Sequence, residues 1–344
     1  MLNENAIKAY LLDQFKDAVN IAITRLGAGV HGAGFLIEIQ LAEGIRQYVI
    51  KGLFPEGLGH DYPSDRAQVF LLDLETYDGI PKHAKAVDVL SEMPDGSIKS
   101  IGGGKEYYLL MERVEGKDYF NDLREFSGKE MLDAEDKEKI KAMTSYLAEI
   151  HSIKKDSRAL YWRKLRDNIG HGECLMGVFD TYPDGVLSYE EMAEIEKLCV
   201  DWRARLKPKT HRLAQIHGDF HPGNIWFKDN SDFVLLDRSR GAYGEPADDV
   251  TALAINYIFF SIMYHGDVRG AYLEGLNLFF EEYVAMTNDK ELFEVVAPFF
   301  AFRGAVVANP VFYPELTIEA RNKIFRFVKN VLSSDRFKIG DVNY

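Results

Sequence analysis

The chain has 344 residues, of which 47% are hydrophobic and 28% are charged, so it is long enough for two structural units and has the composition of an ordinary folded protein. Disordered, collagen-like and coiled-coil chains are excluded by this balance. Lys and Arg number 41 against 54 Asp and Glu, and the net charge of −13 gives no general attraction to nucleic-acid phosphates or anionic membranes. The sequence therefore predicts no nucleic-acid partner and no membrane partner, and it leaves the oligomeric state open.

The two cysteines indicate a reducing compartment. Cys174 and Cys199 cannot form a disulfide framework and lack the spacing of a zinc site, so we expect two buried structural thiols. The N-terminus has no basic segment followed by an apolar stretch, and a signal peptide is not expected. The most apolar helical stretch, 250–264, is shorter than the ~20 residues of a membrane span. We therefore expect a cytoplasmic protein in which this stretch is a buried core helix.

The first third of the chain is rich in strands. Its predicted elements, in chain order, are an amphipathic helix over 6–19, strands of an antiparallel meander over 21–26, 35–41 and 48–53, a helix over 65–74, and strands over 84–90 and 106–112 joined through a turn at 93–96. The composition shifts near 111–117. This shift predicts a boundary between residues 1–113 and 114–344.

The remainder is predicted to be almost entirely helical. Helices are expected over 133–151, from Ser188 toward Leu206, over 248–264, over 270–286 and over 317–332. Ser188 with Glu191 three residues later has the pattern of a capping box. Pro298 and Pro310 are expected to break the apolar region between the last two helices.

A glycine-rich segment follows the first predicted strand. Gly27, Gly29 and Gly32 satisfy the pattern G-x-G-x-x-G, which two mechanically different nucleotide sites use. An alternating run at 35–39 follows, where a dinucleotide fold would begin a helix, so a hairpin loop over phosphates is favoured. Glycine suits such a loop because backbone amides can approach phosphate oxygens closely. An ordinary β-turn is the alternative.

Lys51 lies in the next predicted strand. A lysine on an apolar strand is costly to bury without a negative partner, and a nucleotide phosphate is one candidate. The alternative is an edge-strand lysine whose ammonium reaches water. Asp65 and Glu75 are both candidate carboxylate partners from the following helix, and the sequence does not choose between them.

The segment 217–224, His-Gly-Asp-Phe-His-Pro-Gly-Asn, carries the strongest signal together with the apolar run that ends at Asp237. Phosphoryl transfer needs a positioned acceptor for the hydroxyl proton and positive charge for the developing oxyanions. Asp219 is predicted to accept the proton, while Asn224 and Asp237, on either side of a short hairpin, are predicted to supply oxygen ligands to Mg²⁺. Taken singly, either aspartate could be a turn or capping residue.

The histidines of this segment do not indicate zinc. His217 and His221 lie in a loop that contains glycine and proline and lack the helical register of a zinc protease. A hydrogen bond that holds the loop backbone is the expected role of His217. His151, at the end of a predicted helix, is expected to be a packing histidine.

At these residues the sequence resembles the aminoglycoside phosphotransferase and choline kinase-like family, relatives of protein kinases that phosphorylate small-molecule hydroxyls. Segment 217–224 resembles the catalytic loop of that family, and 109–116 resembles its hinge; the resemblance covers about residues 21–253. It implies a two-lobed, protein-kinase-like α+β fold, with a nucleotide-binding lobe over 1–113, comprising a small antiparallel sheet and a helix, and a larger, mainly helical catalytic and acceptor-binding lobe over 114–344. It also implies adenine binding by the backbone of Glu112 and Val114, Asp219 as base, and Asn224 and Asp237 as metal ligands.

The segment after Asp237 departs from the relatives. Protein kinases have Asp-Phe-Gly where this chain has Asp237-Arg238-Ser239. Arg238 and Arg240 are candidates either for contact with an anionic acceptor or product phosphate, or for structural and solvated ion pairs. Asp248 or Asp249 is expected to hold the catalytic loop or to cap the next helix. Segments 168–174 and 179–184 either line the acceptor pocket or simply connect helices.

The predicted function is transfer of the γ-phosphate of ATP, or of GTP, to a hydroxyl of a small-molecule acceptor with Mg²⁺. Aminoglycosides, other antibiotics, sugars and amino alcohols are all compatible acceptors. The alternatives are a catalytically weak nucleotide-binding regulatory module and a protein kinase. The short distance from Asp237 to Asp248 opposes the protein kinase, because it leaves almost no room for an activation segment.

Overall fold

The computed structural model describes residues 2–28, 32–55, 59–76, 84–105, 109 and 111–343. The chain divides into two compact units, Met1–Met111 and Glu112–Tyr344. The first unit contains a small antiparallel sheet and the second is mainly helical. The predicted α+β class with a small sheet-bearing unit and a larger helical unit is confirmed.

The first unit begins with a helix and a three-stranded sheet. Its elements are α1 (Glu4–Gln14), β1 (Asn20–Ala28), β2 (Gly32–Leu41), β3 (Gly44–Leu53), α2 (Pro63–Thr76), β4 (Leu90–Glu92) and β5 (Ile98–Ser100). Strands β1, β2 and β3 pair antiparallel in chain order, as the meander predicts. Strands β4 and β5 form a separate antiparallel pair. The sheet therefore forms from neighbours in sequence, which is the least demanding way to pair strands.

Apolar side chains from α1 and the sheet form the core of this unit. Helix α1 begins where the Asn3 side chain accepts a hydrogen bond from the Ala6 amide at 3.2 Å. The core comprises Ile7, Leu11, Ile21, Ile37, Ile39 and Leu41. Alternation along β2 directs Ile37, Ile39 and Leu41 to one face, because side chains of a strand point alternately to opposite sides. One sheet face is thus buried under the helix.

Three predictions for the first unit need correction. Helix α1 ends at Gln14, not at residue 19, and the chain turns into β1 at Asn20. No strand forms over 84–89, where side chains are mostly exposed and only Val89 is buried, so an extended run has no apolar face to bury. Of the predicted strand 106–112, residues 109, 111 and 112 lie outside any strand, and the other positions fall outside the described residues.

The described part of the second unit contains nine α-helices, α3 to α11, and five short strands, β6 to β10. Its elements are β6 (Lys117–Asp118), α3 (Phe120–Glu125), α4 (Ala134–Ser152), α5 (Arg158–Gly170), α6 (Leu175–Phe179), α7 (Tyr189–Leu206), β7 (Ala214–Gln215), β8 (Ile225–Phe227), β9 (Phe233–Leu235), β10 (Tyr243–Gly244), α8 (Ala247–His265), α9 (Gly270–Thr287), α10 (Ala297–Val307) and α11 (Ile318–Ser333). Strands β6, β8 and β9 form one small sheet, and β7 pairs with β10.

Capping residues set the beginnings of these helices. Ser188 and Glu191 form the predicted capping box at α7, each side chain bonding the backbone N–H of the other. The prediction for Pro298 is wrong, because this proline lies in the first turn of α10. A proline there costs no hydrogen bond, since the first N–H groups of a helix have no partner within it. The apolar run therefore continues as a helix.

Helix α8 is the centre of the larger unit. All of its residues from Ala247 to Ile262 are buried, and it packs against α9 and α10. It ends at Gly266, whose φ of 81° suits glycine. The predicted core helix is confirmed, and none of the helices described is long and apolar enough to cross a membrane. Cys174 and Cys199 are buried free thiols.

A buried arginine ties the loop before β7 to the segment that leads into α8. The Arg212 guanidinium donates hydrogen bonds of 2.7 to 3.0 Å to both carboxylate oxygens of Glu245, and of 2.7 Å to both oxygens of Asp289. The hydroxyl of Tyr161 donates to Glu245 Oε2 at 2.9 Å. Glu245 is fully buried, so its charge depends on these partners.

We predict that Arg212→Met lowers the free energy of unfolding by about 3–5 kcal/mol, because it leaves the Glu245 carboxylate buried without a cation. Urea unfolding followed by circular dichroism measures this loss. Arg205→Met is the matched control, since its partner Asp335 is 94% exposed and such surface pairs contribute about 0–1 kcal/mol. Equal effects of the two substitutions would contradict the assignment.

Candidate functional site

The segment 217–224 forms an irregular loop between β7 and β8. Gly218 has a φ of 90°, a conformation that side chains rarely adopt, and Pro222–Asn224 form a short 3-10 turn. The Asn224 Nδ2 group donates to the backbone carbonyl of Asp219 at 3.0 Å. This bond brings two of the predicted site residues together across the loop.

The two histidines of the loop bond its own backbone. The amide of Asp219 donates to His217 Nδ1 at 3.2 Å, and the amide of Gly223 donates to His221 Nδ1 at 3.1 Å. The predicted backbone role of His217 is thereby confirmed. Within the described part of the chain, no cluster of three or more His, Cys, Asp or Glu side chains could hold a metal ion.

Asp249 holds the loop from the first turn of α8. Its Oδ2 accepts the amide N–H of His217 and its Oδ1 accepts that of Gly218, both at 2.7 Å. His151 Nε2 lies 3.2 Å from Asp249 Oδ2, and His151 Nδ1 lies 2.8 Å from the hydroxyl of Tyr283. Asp249 is therefore the residue that holds the loop, and His151 is the buried packing histidine that the sequence predicts.

Two arginines contact the carboxylate of Asp219, which is 7% exposed. Arg303 Nη1 donates to Oδ1 at 2.5 Å, and Arg240 Nη2 lies 3.4 Å from Oδ2. Burial by itself raises the pKa of Asp219, but the charges of Arg303 and Arg240 outweigh it, and the pKa is lower than that of an ordinary aspartate. Asp219 is therefore ionised at neutral pH, as a proton acceptor must be.

Arg303 joins the loop to the second aspartate of α8. Its Nη2 donates to the carbonyl of Gly218 at 3.1 Å and to Asp248 Oδ1 at 2.8 Å. The other oxygen of Asp248 is paired with Lys164 from α5. The side chains of Lys164, Asp248 and Arg303 are all almost completely buried. These charges therefore compensate one another away from water.

Sequence reasoning missed Lys164 and Arg303. Arg303 is the one charged residue of α10, in the run Ala-Pro-Phe-Phe-Ala-Phe-Arg-Gly-Ala-Val-Val. A cation inside so apolar a helix must find a buried partner, and this signal was present in the sequence. The identity of the partner was not, because Asp219 lies 84 residues earlier in the chain.

The β8–β9 hairpin brings Asn224 and Asp237 close in the backbone. Ile225 pairs with Leu235, and the amide of Leu236 donates to the carbonyl of Asn224 at 3.0 Å. Leu236 therefore lies opposite Asn224, and Asp237 is the next residue along the chain. Its φ of 51° is left-handed, which aspartate tolerates better than most residues, and its side chain is exposed.

The oxygens of these two residues suit a hard cation. Asn224 uses its Nδ2 to bond Asp219, and its Oδ1 accepts no hydrogen bond from the described residues. Asp237 likewise has no hydrogen bond or ion pair with them. Amide and carboxylate oxygens not engaged by the protein are the donors that Mg²⁺ takes, together with several waters. The donor set at 224 and 237 therefore fits magnesium.

Arg238 has a structural role. Its guanidinium donates to the carbonyls of Ile216 and Ala242 at 2.9 to 3.2 Å, next to the paired strands β7 and β10. Of the two open interpretations for this arginine, the structural one applies. Arg240 is different, because it contacts Asp219 and lies 3.8 Å from Glu173 in the segment 168–174.

Among the described residues of the first unit, the predicted site residues lie on the sheet. Gly27 and Gly32 belong to the β1–β2 hairpin, so the segment joins two antiparallel strands, while Gly29 lies outside the described residues. At Gly32 a Cβ atom would lie 2.2 Å from the carbonyl oxygen of Gly52, so only glycine fits. Lys51, on β3 opposite Gly34, is exposed and forms no ion pair with the described residues. Its carboxylate partner stays open.

Glu112 and Val114 lie at the beginning of the second unit. The described backbone from Met111 to Glu115 is neither helix nor strand. Glu112 is exposed and Val114 is half-buried. Their predicted contact with adenine stays a prediction.

Comparison with known proteins identifies one family. Residues 84–286 match the model of a phosphotransferase enzyme family, APH. The match contains segment 217–224, Asp237 and Asp249, and it begins after the glycine-rich hairpin. No curated protein sequence matches the chain.

Several solved structures show a distant likeness. An amicoumacin kinase in complex with AMP-PNP, Ca²⁺ and Ami is 13% identical, with full coverage of both chains and a TM-score of 0.41. The ADP-bound aminoglycoside phosphotransferase APH(2'')-Ib is 15% identical over 94% of this chain and 97% of its own, with a TM-score of 0.33. An ethanolamine kinase from Plasmodium vivax is 13% identical over 97% and 83%, with a TM-score of 0.36. At these values, the assignment to a family rests on the match over 84–286.

The charge network around Asp248 generates a prediction about pH. Burial raises the pKa of Asp248, but Lys164 and Arg303 together outweigh it and lower the pKa to about 2. Its ionised form therefore stabilises the fold above the unfolded pKa of about 3.9, and this contribution is lost as the pH falls toward 2.

We predict that Asp248→Asn lowers the free energy of unfolding by about 3–5 kcal/mol at pH 7, because two buried cations lose their shared anion. The difference in free energy of unfolding from the unsubstituted protein should narrow by about 1 kcal/mol at pH 3, because at this pH the carboxyl of Asp248 is mostly protonated in the unfolded chain and mostly ionised in the folded protein. Urea unfolding at both pH values measures it, with the exposed Asp335→Asn as control. A difference that is the same at both pH values would refute the linkage.

Proposed function

The chain belongs to the phosphotransferase enzyme family, and from this premise we propose that it transfers the γ-phosphate of ATP to a hydroxyl of a small-molecule acceptor with Asp219 as the base. The observation that carries this proposal is the Asp219 carboxylate, which is buried, ionised and fixed in a loop whose backbone Asp249 holds. In the reaction, the acceptor oxygen bonds the γ-phosphorus, the bond from that phosphorus to the bridging oxygen breaks, and ADP leaves. The hydroxyl proton passes to Asp219.

We propose Asn224 and Asp237 as the residues that hold Mg²⁺. Their unengaged amide and carboxylate oxygens support this role. When bound, the ion would offset negative charge on the phosphate oxygens. The bond from Asn224 Nδ2 to the carbonyl of Asp219 couples the metal side of the loop to the base.

The nucleotide side of the proposal uses the remaining predicted residues. Gly27, Gly29 and Gly32 would present backbone amides to the phosphates of ATP or GTP, and Lys51 would add a positive charge. The backbone of Glu112 and Val114 would bind the adenine. The antiparallel strands on either side of this segment support a hairpin loop over the strand-to-helix turn of a dinucleotide fold. We also propose a cytoplasmic enzyme, which two buried free thiols fit.

One observation keeps a catalytically weak nucleotide-binding module as the second candidate. Both carboxylate oxygens of Asp219 are contacted by arginines, which makes the group a poorer proton acceptor than a free aspartate. A protein kinase is disfavoured, since only nine residues separate Asp237 from the first residue of α8.

We predict that Asp219→Asn lowers acceptor-dependent ATP consumption by about 10²–10⁴-fold, because an amide cannot accept the proton, while nucleotide binding is largely retained. Steady-state kinetics and calorimetric titration with ATP measure the two quantities. Asp229→Asn, in the exposed turn of the same hairpin, is the control and should leave both unchanged. Full turnover by Asp219→Asn would eliminate this aspartate as the base.

We predict that Asp237→Ala weakens the binding of Mg²⁺ and ATP together by at least about tenfold, which corresponds to about 1.4 kcal/mol, through the loss of one oxygen ligand. Binding of ATP without a metal ion should change little. Calorimetry with and without Mg²⁺ separates the two, and Asp232→Ala, exposed in the same hairpin, is the control. Unchanged affinity in the presence of Mg²⁺ would count against metal ligation.

A further inference from the structure

Arg240 has hydrogen-bonding capacity that the protein does not use. Its Nε and Nη1 atoms are buried and form no hydrogen bond with the described residues. Its one contact with the base, from Nη2 to Asp219 Oδ2, is long at 3.4 Å, and its contact with the exposed Glu173 is longer still at 3.8 Å. Buried guanidinium N–H groups without hydrogen-bond partners cost free energy, so a ligand oxygen that accepts hydrogen bonds from them would be stabilised there.

The comparison with Arg303 sets Arg240 apart. Arg303 is bound to Asp219, Gly218 and Asp248 at 2.5 to 3.1 Å and belongs to the rigid network behind the loop. Arg240 is 18% exposed, and its guanidinium carbon lies 5.3 Å from the centre of the Phe302 ring, which supports the group from one side. Arg240 is therefore a partly exposed guanidinium held beside Asp219 by long contacts, and its buried Nε and Nη1 atoms become available to a ligand when the side chain moves from this position.

The position of Arg240 competes with the reaction. Asp219 Oδ1 accepts the short bond from Arg303, which leaves Oδ2, the oxygen that Arg240 contacts at 3.4 Å, as the more available oxygen for the acceptor hydroxyl. A ligand anion would draw the guanidinium away from Oδ2, because an oxyanion can take two parallel N–H bonds from one arginine. The same charge would oppose a polycationic acceptor at this position.

Resting on the proposed function, we propose that the acceptor is a hydroxyl compound that also bears an oxyanion, a carboxylate or a phosphate, and that Arg240 binds this group. Binding of the oxyanion frees Asp219 Oδ2 for the hydroxyl proton. The remaining steps are those of the proposed transfer, with ADP as the leaving group. Arg240 thus selects the substrate and controls the availability of the base.

The test uses acceptors that differ only in charge. One set consists of glycerol, glycerate and glycerol 3-phosphate. A second set consists of glucose, glucuronate and glucose 6-phosphate. A third comparison uses ethanolamine, which is cationic, and serine, its carboxylated form. Acceptor-dependent ATP consumption with Mg²⁺ is measured for the intact chain, Arg240→Gln and Arg166→Gln. Arg166 is the matched control, because it is half exposed and pairs with Asp167 on the surface of α5.

The expected result is a preference for the oxyanion member of a set, with the carboxylated and phosphorylated members showing which oxyanion fits. Arg240→Gln should raise KM for that member by roughly 10- to 100-fold, the size expected for a hydrogen-bonded charge pair, and should not raise KM for the neutral member. Arg166→Gln should change neither. A preference for neutral or cationic members, or an equal loss for every member in Arg240→Gln, would overturn the inference.

Background hydrolysis of ATP, with water as acceptor, supplies the readout if no member of the panel is phosphorylated. Arg240→Gln should then raise the rate of hydrolysis severalfold. Acetate or phosphate ions should raise this rate in the unsubstituted protein but not in Arg240→Gln. The inference would be overturned if neither the substitution nor the added ions changed the rate. ATP turnover that is absent, or unaffected by Asp219→Asn, would instead contradict the proposed function itself. The two failures are thereby distinguished.

Discussion

Two neighbouring carboxylates in the first turn of one buried helix hold the loop that carries Asp219 and the buried cations behind it. Asp249 accepts two backbone amides of the loop, and Asp248 accepts the arginine and the lysine behind it. The positive end of the helix dipole favours negative charge at this position. Because α8 is buried along almost its whole length, its first turn is a fixed reference for the loop.

Rigidity at this site comes with a cost in reactivity. Arginine contacts keep Asp219 ionised and oriented, and the same contacts occupy the oxygens that, in the proposed reaction, accept the hydroxyl proton. The two arginines divide these effects, since Arg303 is part of the buried network and Arg240 is only loosely engaged. If Asp219 is the base, as proposed, this arrangement couples binding of the substrate to the availability of the base.

Local patterns predicted the elements whose causes are local. Neighbouring residues account for the capping box at Ser188 and for the buried helix over 250–264, and both are present in the structure. They also account for the two predicted hairpins, whose strands pair as β1 with β2 and as β8 with β9. The segment 217–224 could be read as a loop with chemistry because its glycines and its polar residues are adjacent. The assigned roles of Asp219, Asn224 and Asp237 stay predictions.

The features that sequence reasoning missed depend on tertiary contacts. The sequence pattern predicts an interruption at Pro298, because proline usually breaks a helix. In the structure this proline lies in the first turn of α10, where proline is accepted. The cationic partners of Asp219 and Asp248 come from α5, α10 and the segment after β9, and nothing local in the sequence pairs them. The run at 84–89 shows the reverse error, since local strand preference had no buried face to occupy.

The ion pair between Asp219 and Arg303 has a consequence during synthesis. The carboxylate is synthesised 84 residues before its counter-ion. A nascent chain that has already formed the loop lacks the cation that compensates its buried charge until α10 has left the ribosome and packed. The candidate site is therefore complete only after α10 has been synthesised and has packed against the loop.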